Sequence, residues 1–504
     1  MSCTFNQRDI LICNENSVKG IHQQTKLLIS FLKEVSYLTE AYILDYFVES
    51  LWTKIPSSWH DVIQNSETSD LAMFLKYEES VKSQKPWPLS LLSIRACISS
   101  LSLYRKSIIS PQAILNFLTQ TYKVDPKIPI IQEEFSSDND WSSSVDEFNS
   151  KSCQHKKIPS FCRRHVKPKK QHEIFRIAKV TDIMLSNFNL KNIIDIGSGL
   201  GHLSRFLNLT YNFNVTTVEA NHHNVSGAVA LDKQAFCSLK KLKKETPDTL
   251  PHHVKECMKF TSSDACLKKV ISETCFSSKS SSPEFALLGL HTCGSLAETV
   301  LKSFVDFDES KILILVGCCY MKKEPGSETE NYPLSSFVKS LPNHELSYEA
   351  KELACHAIEM YIKRLQDNAS SLKIHCYRAA LEKCIVSHYP SLKHLGLRGV
   401  KHAECLAFHE YAEQALCKVD VKIPKETLLS QETVSLLSRW KEVLTFYSLR
   451  LIIAPVIETL ILMDRLLYLY EKGCPCCVAP VFDPTLSPRN FVLLSVKVNK
   501  DGSN

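Results

Sequence analysis

The stretch DIGSGLG, Asp195 to Gly201, follows the apolar run NIIDI (192–196) and precedes HLSRFLNL, so it stands where a strand ends and a helix begins. Glycines at such a junction let the chain turn sharply and let a bound cofactor approach the backbone without a Cβ in the way. Eighteen residues after Gly201, Glu219 lies at the end of the next β-branched run, NVTTVEA (214–220). A carboxylate there can accept hydrogen bonds from both hydroxyls of a ribose. A dinucleotide site reads G-x-G-x-x-G, whereas this loop runs Gly197-x-Gly199-x-Gly201, with an acid two residues before the first glycine. That spacing suits S-adenosylmethionine, which has no pyrophosphate to seat on a helix N-terminus. The expected cofactor-binding residues are Asp195, Gly197, Ser198, Gly199, Gly201 and Glu219. The plainer alternative is a glycine turn of purely structural use.

Outward from this loop, three more short apolar runs read as strands: MKFTSSDA (258–265), FALLGL (285–290) and KILILVG (311–317). They alternate with helical stretches, beginning with an amphipathic helix over 170–190, and such alternation implies a parallel sheet covered on both faces. At the other end of the chain, CCVAPVFDP and NFVLLSVKV flank the turn DPTLSPR and read as two further strands. The fold class expected is α/β: a Rossmann-like class I methyltransferase sheet with a helical N-terminal region and a large helical insertion before the last two strands. The corresponding divisions are a helical N-terminal domain over 1–131, a Ser/Asp/Glu-rich linker over 132–160, a core over 161–332, a helical insertion over 333–473 and final strands over 474–498.

Ligands of open α/β sheets sit at strand C-termini. Asp264, expected at the end of the third strand, is placed to meet an adenine amino group; the alternative is a helix N-cap. The fourth and fifth strands end in GLHTCGSL and VGCCYMKKE. There His291, Cys293, Cys319 and Tyr320 are the expected catalytic residues, with Cys318 beside them, although buried cysteines often only fill cores. Methyl transfer from a sulfonium needs a nucleophile held in line and, if it is a hydroxyl, relieved of its proton. His291 is the expected base. The Asn/Asp-Pro-Pro-aromatic motif of base-N methyltransferases is absent after the fourth strand, which disfavours an exocyclic adenine amine as acceptor.

The remaining features bound the partners. Sixty basic against 54 acidic residues leave a net charge of +6, too small over 504 residues to imply nucleic acid by itself. A local cluster, KKIPSFCRRHVKPKK (156–170), gathers seven Lys or Arg and could contact RNA phosphates, or could simply be a solvated helix approach. Twenty scattered cysteines and an N-terminus without an apolar leader fit reduced thiols in the cytoplasm or nucleus. The apolar stretch 449–470 carries Glu458, Asp464 and Arg465, so a buried helix is favoured over a membrane span. Cys474-Pro-Cys476-Cys477 could join His402-x-x-Cys405 or His375-Cys376 around zinc, but no second C-x-x-C exists at ribbon spacing, and no metal is expected.

The segments KPKKQHEI, DIGSGLGHLSRFL, GLHTCGSL, VGCCYMKKE, LACHAIEMY, CYRAALE, PVIETLILMDRLLYLYE and FDPTLSPRNF, in that order, resemble the methyltransferase-like protein 25 family over roughly 160–498. The resemblance implies a methyltransferase whose cofactor loop falls on Asp195, Gly197, Gly199 and Gly201, with Glu219 as the ribose acid. Some members of that family are described as similar to ribosomal-RNA adenine dimethylases, but their Asn-Leu/Pro-Pro-Tyr/Phe motif is missing here. A more distant similarity is to tRNA ribose 2′-O-methyltransferases, which also pair a His-x-Cys-Gly-like fourth strand end with a Cys-Cys fifth; it implies an RNA hydroxyl as acceptor.

Overall fold

The computed structural model describes residues 10–79, 86–107, 114, 117–118, 147–242, 247–259, 263–274, 284–322 and 332–497. They divide into two compact units, one of 1–26, 103–345 and 460–504, the other of 27–102 and 346–459.

The first unit is built on an eight-stranded sheet. Its strands are β1 (Leu11–Cys13), β2 (Asn192–Ile196), β3 (Asn214–Glu219), β4 (His252–Lys255), β5 (Phe285–Thr292), β6 (Ser310–Gly317), β7 (Cys476–Pro480) and β8 (Phe491–Val496), in the spatial order β1-β7-β8-β6-β5-β2-β3-β4. From β4 to β6 all neighbours are parallel, while β8 runs antiparallel to both β6 and β7. Counted among themselves, the parallel strands take the doubly wound order 3-2-1-4-5, which reverses between β2 and β5. The Rossmann-like expectation holds, and the chain's last two strands join this sheet. Their residues are apolar without alternation because both faces are covered: Val492, Leu494 and Val496 are fully buried, as are Ile312 and Ile314 beside them.

Helix Pro168–Asn187 starts with proline at its first turn, where the missing N–H costs nothing. Its Ile174, Ile177 and Met184 are buried in the same core cluster as Ala286, Leu288 and Ile314 of the sheet.

Several expectations need correction. The third parallel strand is His252–Lys255, not 258–265; Ser263–Glu273 is helical, so Asp264 stands in a helix's first turn. HHVK is an edge strand with a single buried residue, Val254, and carries no apolar signature. The N-terminal region is not purely helical either, because Leu11–Cys13 pairs with Val478–Cys476. Of the proposed linker, 147–160 is described and is anchored: Glu147, nearly buried, accepts hydrogen bonds from His172 Nδ1 at 2.5 Å and Arg176 Nε at 2.7 Å. Residues 132–146 and most of 108–131 of the N-terminal region expected to be helical lie outside the described residues.

The second unit is helical and is drawn from two segments, one between β1 and β2 and one between β6 and β7. Thr68–Leu75 packs against Ile358–Gln366, and Arg450 donates through Nε to the Leu38 carbonyl at 3.0 Å. The N-terminal helices and the middle of the insertion therefore share one unit, rather than the separate divisions 1–131 and 333–473. Amphipathic periodicity reports that a helix buries a face, not which helix covers it.

The apolar run 449–470 falls in a helical stretch, Trp440–Glu471, whose apolar window is wholly buried. Its charges have structural uses: the Asp464 carboxylate accepts from the Leu334 and Ser335 N–H groups at 2.7 and 2.9 Å, and Arg465 lies over the Tyr320 ring at 5.3 Å.

Candidate active site

The strand order reverses between β2 and β5, and the glycine loop directly follows the carboxyl end of β2, the position where open α/β sheets take ligands. Gly197, Gly199 and Gly201 all have positive φ, at +71°, +58° and +65°. A Cβ at Gly197 or Gly201 would press on Leu296 or on His253 and Ala228, whereas one at Gly199 would meet no atom within 4 Å. The outer two glycines are thus needed for packing, and the middle one borders open space.

Glu219 faces this loop. Its Oε2 accepts the Gly199 N–H at 2.9 Å, and its Oε1 accepts the Asn221 N–H at 2.9 Å and the Asn224 Nδ2 at 3.3 Å. Ser198 places a buried Oγ here that has no hydrogen-bond partner among the described residues. Asp195 points inward and accepts from the Ser204 hydroxyl at 2.5 Å; burial pushes its carboxyl up to about 6 despite that hydrogen bond. Behind the loop, Asp232 accepts from Arg205 Nε and His253 Nε2, each at 2.6 Å, and Arg205 in turn donates to the Leu200 carbonyl at 3.0 Å. These residues fit S-adenosylmethionine: a backbone turn bare of side chains at Gly199, an unpartnered hydroxyl, and a carboxylate whose lone pairs exceed its present donors. The Asp264 side chain is not among the features described.

One strand away, His291, next to last in β5, lies in the left-handed region at φ +68°. Its Nε2 lies 2.9 Å from Oε2 of Glu173, while Oε1 of Glu173 accepts from the Ser487 hydroxyl at 2.7 Å. Burial alone would raise the Glu173 carboxyl, but the hydrogen bond and charge of His291, with Lys169 and Ser487, outweigh it and hold it at about 2. Glu173 and Ser487 were missed by sequence reading, since they come from the helix before β2 and the β7–β8 turn. Their only signal was that KPKKQHEI and FDPTLSPRNF carry the resemblance.

Cys293 follows, with its Sγ 2.6 Å from Cys318 Sγ, and Cys318 is 3.7 Å from Cys319 Sγ. All three are half-buried. The contact with Cys318 draws the Cys293 thiol down to about 6 and pushes Cys318 up. Burial raises Cys319. Tyr320 is buried, with Arg465 over its ring. Cys476 and Cys477 are fully buried in β7.

Residues 169–324 match the methyltransferase-domain family, and the strand order, glycine loop and facing acid agree with that α/β domain. Over 229 residues the chain is 31% identical to "Probable methyltransferase-like protein 25" of Mus musculus, covering 43% of this chain and 38% of that protein. The Homo sapiens protein of the same name is 31% identical over 225 residues, covering 42% and 36%. The match thus spans well under half the length of these relatives, and its domain is similar to theirs.

Proposed function

We propose that this chain transfers a methyl group from S-adenosylmethionine to a ribose hydroxyl of RNA. The glycine loop and Glu219 would hold the donor, which supplies a methyl carbon activated by its sulfonium. The reading is carried by the His291–Glu173 pair beside that loop. A buried carboxylate held ionised orients the ring so that Nε2–H donates to it, which leaves Nδ1 of the neutral imidazole as a base. Nδ1 would take the acceptor hydroxyl's proton as that oxygen displaces the methyl carbon from the sulfonium sulfur, which would leave as a neutral thioether, and the Glu173 carboxylate would stabilise the imidazolium. General-base assistance of this kind contributes about 10²–10⁴ in rate.

Support for RNA comes from the basic cluster. Lys156, Lys157, Arg164, Lys167 and Lys169 are exposed, and they run directly into the helix that carries Glu173.

Calorimetric titration of the full chain with S-adenosylmethionine tests the donor: binding is expected, with loss on Gly199→Arg. Absence of binding by folded protein defeats the proposal. Transfer of tritiated methyl into fractionated cell extract tests the acceptor. Label in alkali-stable dinucleotides is expected, because a 2′-O-methyl blocks strand cleavage, whereas label that survives RNase and is lost to protease indicates a protein substrate and overturns the RNA reading.

A further inference from the structure

We propose that Cys293, Cys318 and Cys319 form a three-thiolate site for a soft divalent cation, zinc in the first instance, with its fourth position open. This goes beyond the methyltransferase reading and does not depend on it. The three sulfurs lie within 4.8 Å of one another, and no carboxylate or imidazole belongs to the group. Zinc–thiolate bonds of about 2.3 Å in a tetrahedral arrangement set sulfurs about 3.8 Å apart. Cys318 and Cys319 already meet that separation at 3.7 Å, and Cys293, 2.6 Å from Cys318, would open to it on binding. An all-sulfur donor set selects zinc or another thiophilic ion and rejects magnesium and calcium.

The backbone around these thiols is fixed before any ion arrives. Thr292 pairs with Gly317 at the ends of β5 and β6, and the Gly294 N–H donates to the Cys319 carbonyl at 2.9 Å. Gly294 has φ +57°, and a Cβ there would lie 2.3 Å from the Lys322 carbonyl oxygen, so the two loops are pressed together where only glycine fits. Arg489 donates to the Cys318 carbonyl at 3.2 Å. Two thiols would suffice for a disulfide, but the loops bring in a third. Three protein ligands with an open fourth position, and half-buried sulfurs that leave it reachable, are the pattern of zinc sites that take water or substrate.

The test is metal content of the full chain, expressed with zinc and dialysed, by plasma mass spectrometry. About one zinc per chain is expected, falling about tenfold in Cys293→Ser/Cys318→Ser and unchanged in Cys257→Ser, whose thiol is exposed elsewhere. Cobalt loading of the wild type gives a second readout independent of any variant: intense visible bands and a near-ultraviolet sulfur-to-cobalt charge-transfer band. A metal-free wild type showing only the weak bands of hydrated cobalt overturns the proposal. So does equal zinc in the Cys293→Ser/Cys318→Ser/Cys319→Ser variant, or a thiol count on denatured, metal-free protein two short of twenty, which would mark a disulfide.

Discussion

The Gly199 N–H donates to Oε2 of Glu219 over 2.9 Å, so one carboxylate both shapes the glycine loop and borders the space beside it. Glu219→Ala removes the acceptor of three donors. Loss of hydrogen bonds to a charged group costs about 1.5–3 kcal/mol. Thermal unfolding should show a destabilisation of that order, and calorimetry a fall in S-adenosylmethionine affinity of at least about tenfold, since a tenth in affinity is ~1.4 kcal/mol. Glu219→Gln should keep most of the stability and lose most of the affinity.

Gly199→Ala and Gly294→Ala should separate two uses of glycine. At Gly199 the added methyl meets no atom, so only the left-handed φ of +58° counts, about 1–2 kcal/mol. At Gly294 it meets the Lys322 carbonyl at 2.3 Å, and ψ is −132°, a region held almost wholly by glycine. Chemical denaturation should show a clearly larger loss there, beyond about 3 kcal/mol.

Glu173 sets an acid limit on stability. Its folded carboxyl is held at about 2, below the ordinary 4.5. A depressed acid adds stability that is complete above the unfolded value and is lost as pH falls from 4.5 toward 2, at most about 3 kcal/mol. Glu173→Gln should flatten that acid limb. It should also lower kcat by about 10²-fold or more and change the pH profile of kcat/KM, which a merely structural role would not do.

Asp195 should behave oppositely. Burial lifts its carboxyl from 3.8 to about 6, so ionisation in the fold is unfavourable, and its contribution weakens as pH rises from 3.8 through 6. Asp195→Asn should therefore stabilise the chain at pH 7 by about 1–3 kcal/mol and do little below pH 3. A variant equally altered at both pH values would contradict this.

Asp232→Ala leaves Arg205 and His253 facing each other without their shared carboxylate. Breaking a buried ion pair from one side costs about 3–5 kcal/mol. Because Arg205 also holds the Leu200 carbonyl, donor affinity should fall along with the unfolding temperature.

What the sequence disclosed depended on whether a signal was local. The strand that carries Asp195, the glycine spacing and the acid at 219 are written within the 28 residues from Asn192 to Glu219, and β5, β6 and β8 are apolar enough to be read directly. Strand β4 is not, because an edge strand such as HHVK buries one residue, and three residues at Leu11–Cys13 are too few for a period to show. The partners of His291 lay beyond reach for another reason. Glu173 is 118 positions earlier, and Ser487 is 314 positions from Glu173, joined only when the sheet assembles. Glu147, in a polar stretch that reads as a linker, is buried because Arg176 pairs with its charge and His172 Nδ1 donates to it, a compensation that composition does not reveal.

The pairing of β6 with β8 sets a timetable for synthesis. As the chain leaves the ribosome, the middle of the domain exists long before Phe491–Val496 does, and Ile312–Leu315 must wait with one flank of main-chain groups unmatched. Exposed strand flanks recruit other chains. A nascent or prematurely stopped product that contains the glycine loop but not the β7–β8 hairpin should therefore be a chaperone client, released once Phe491–Val496 has covered that flank.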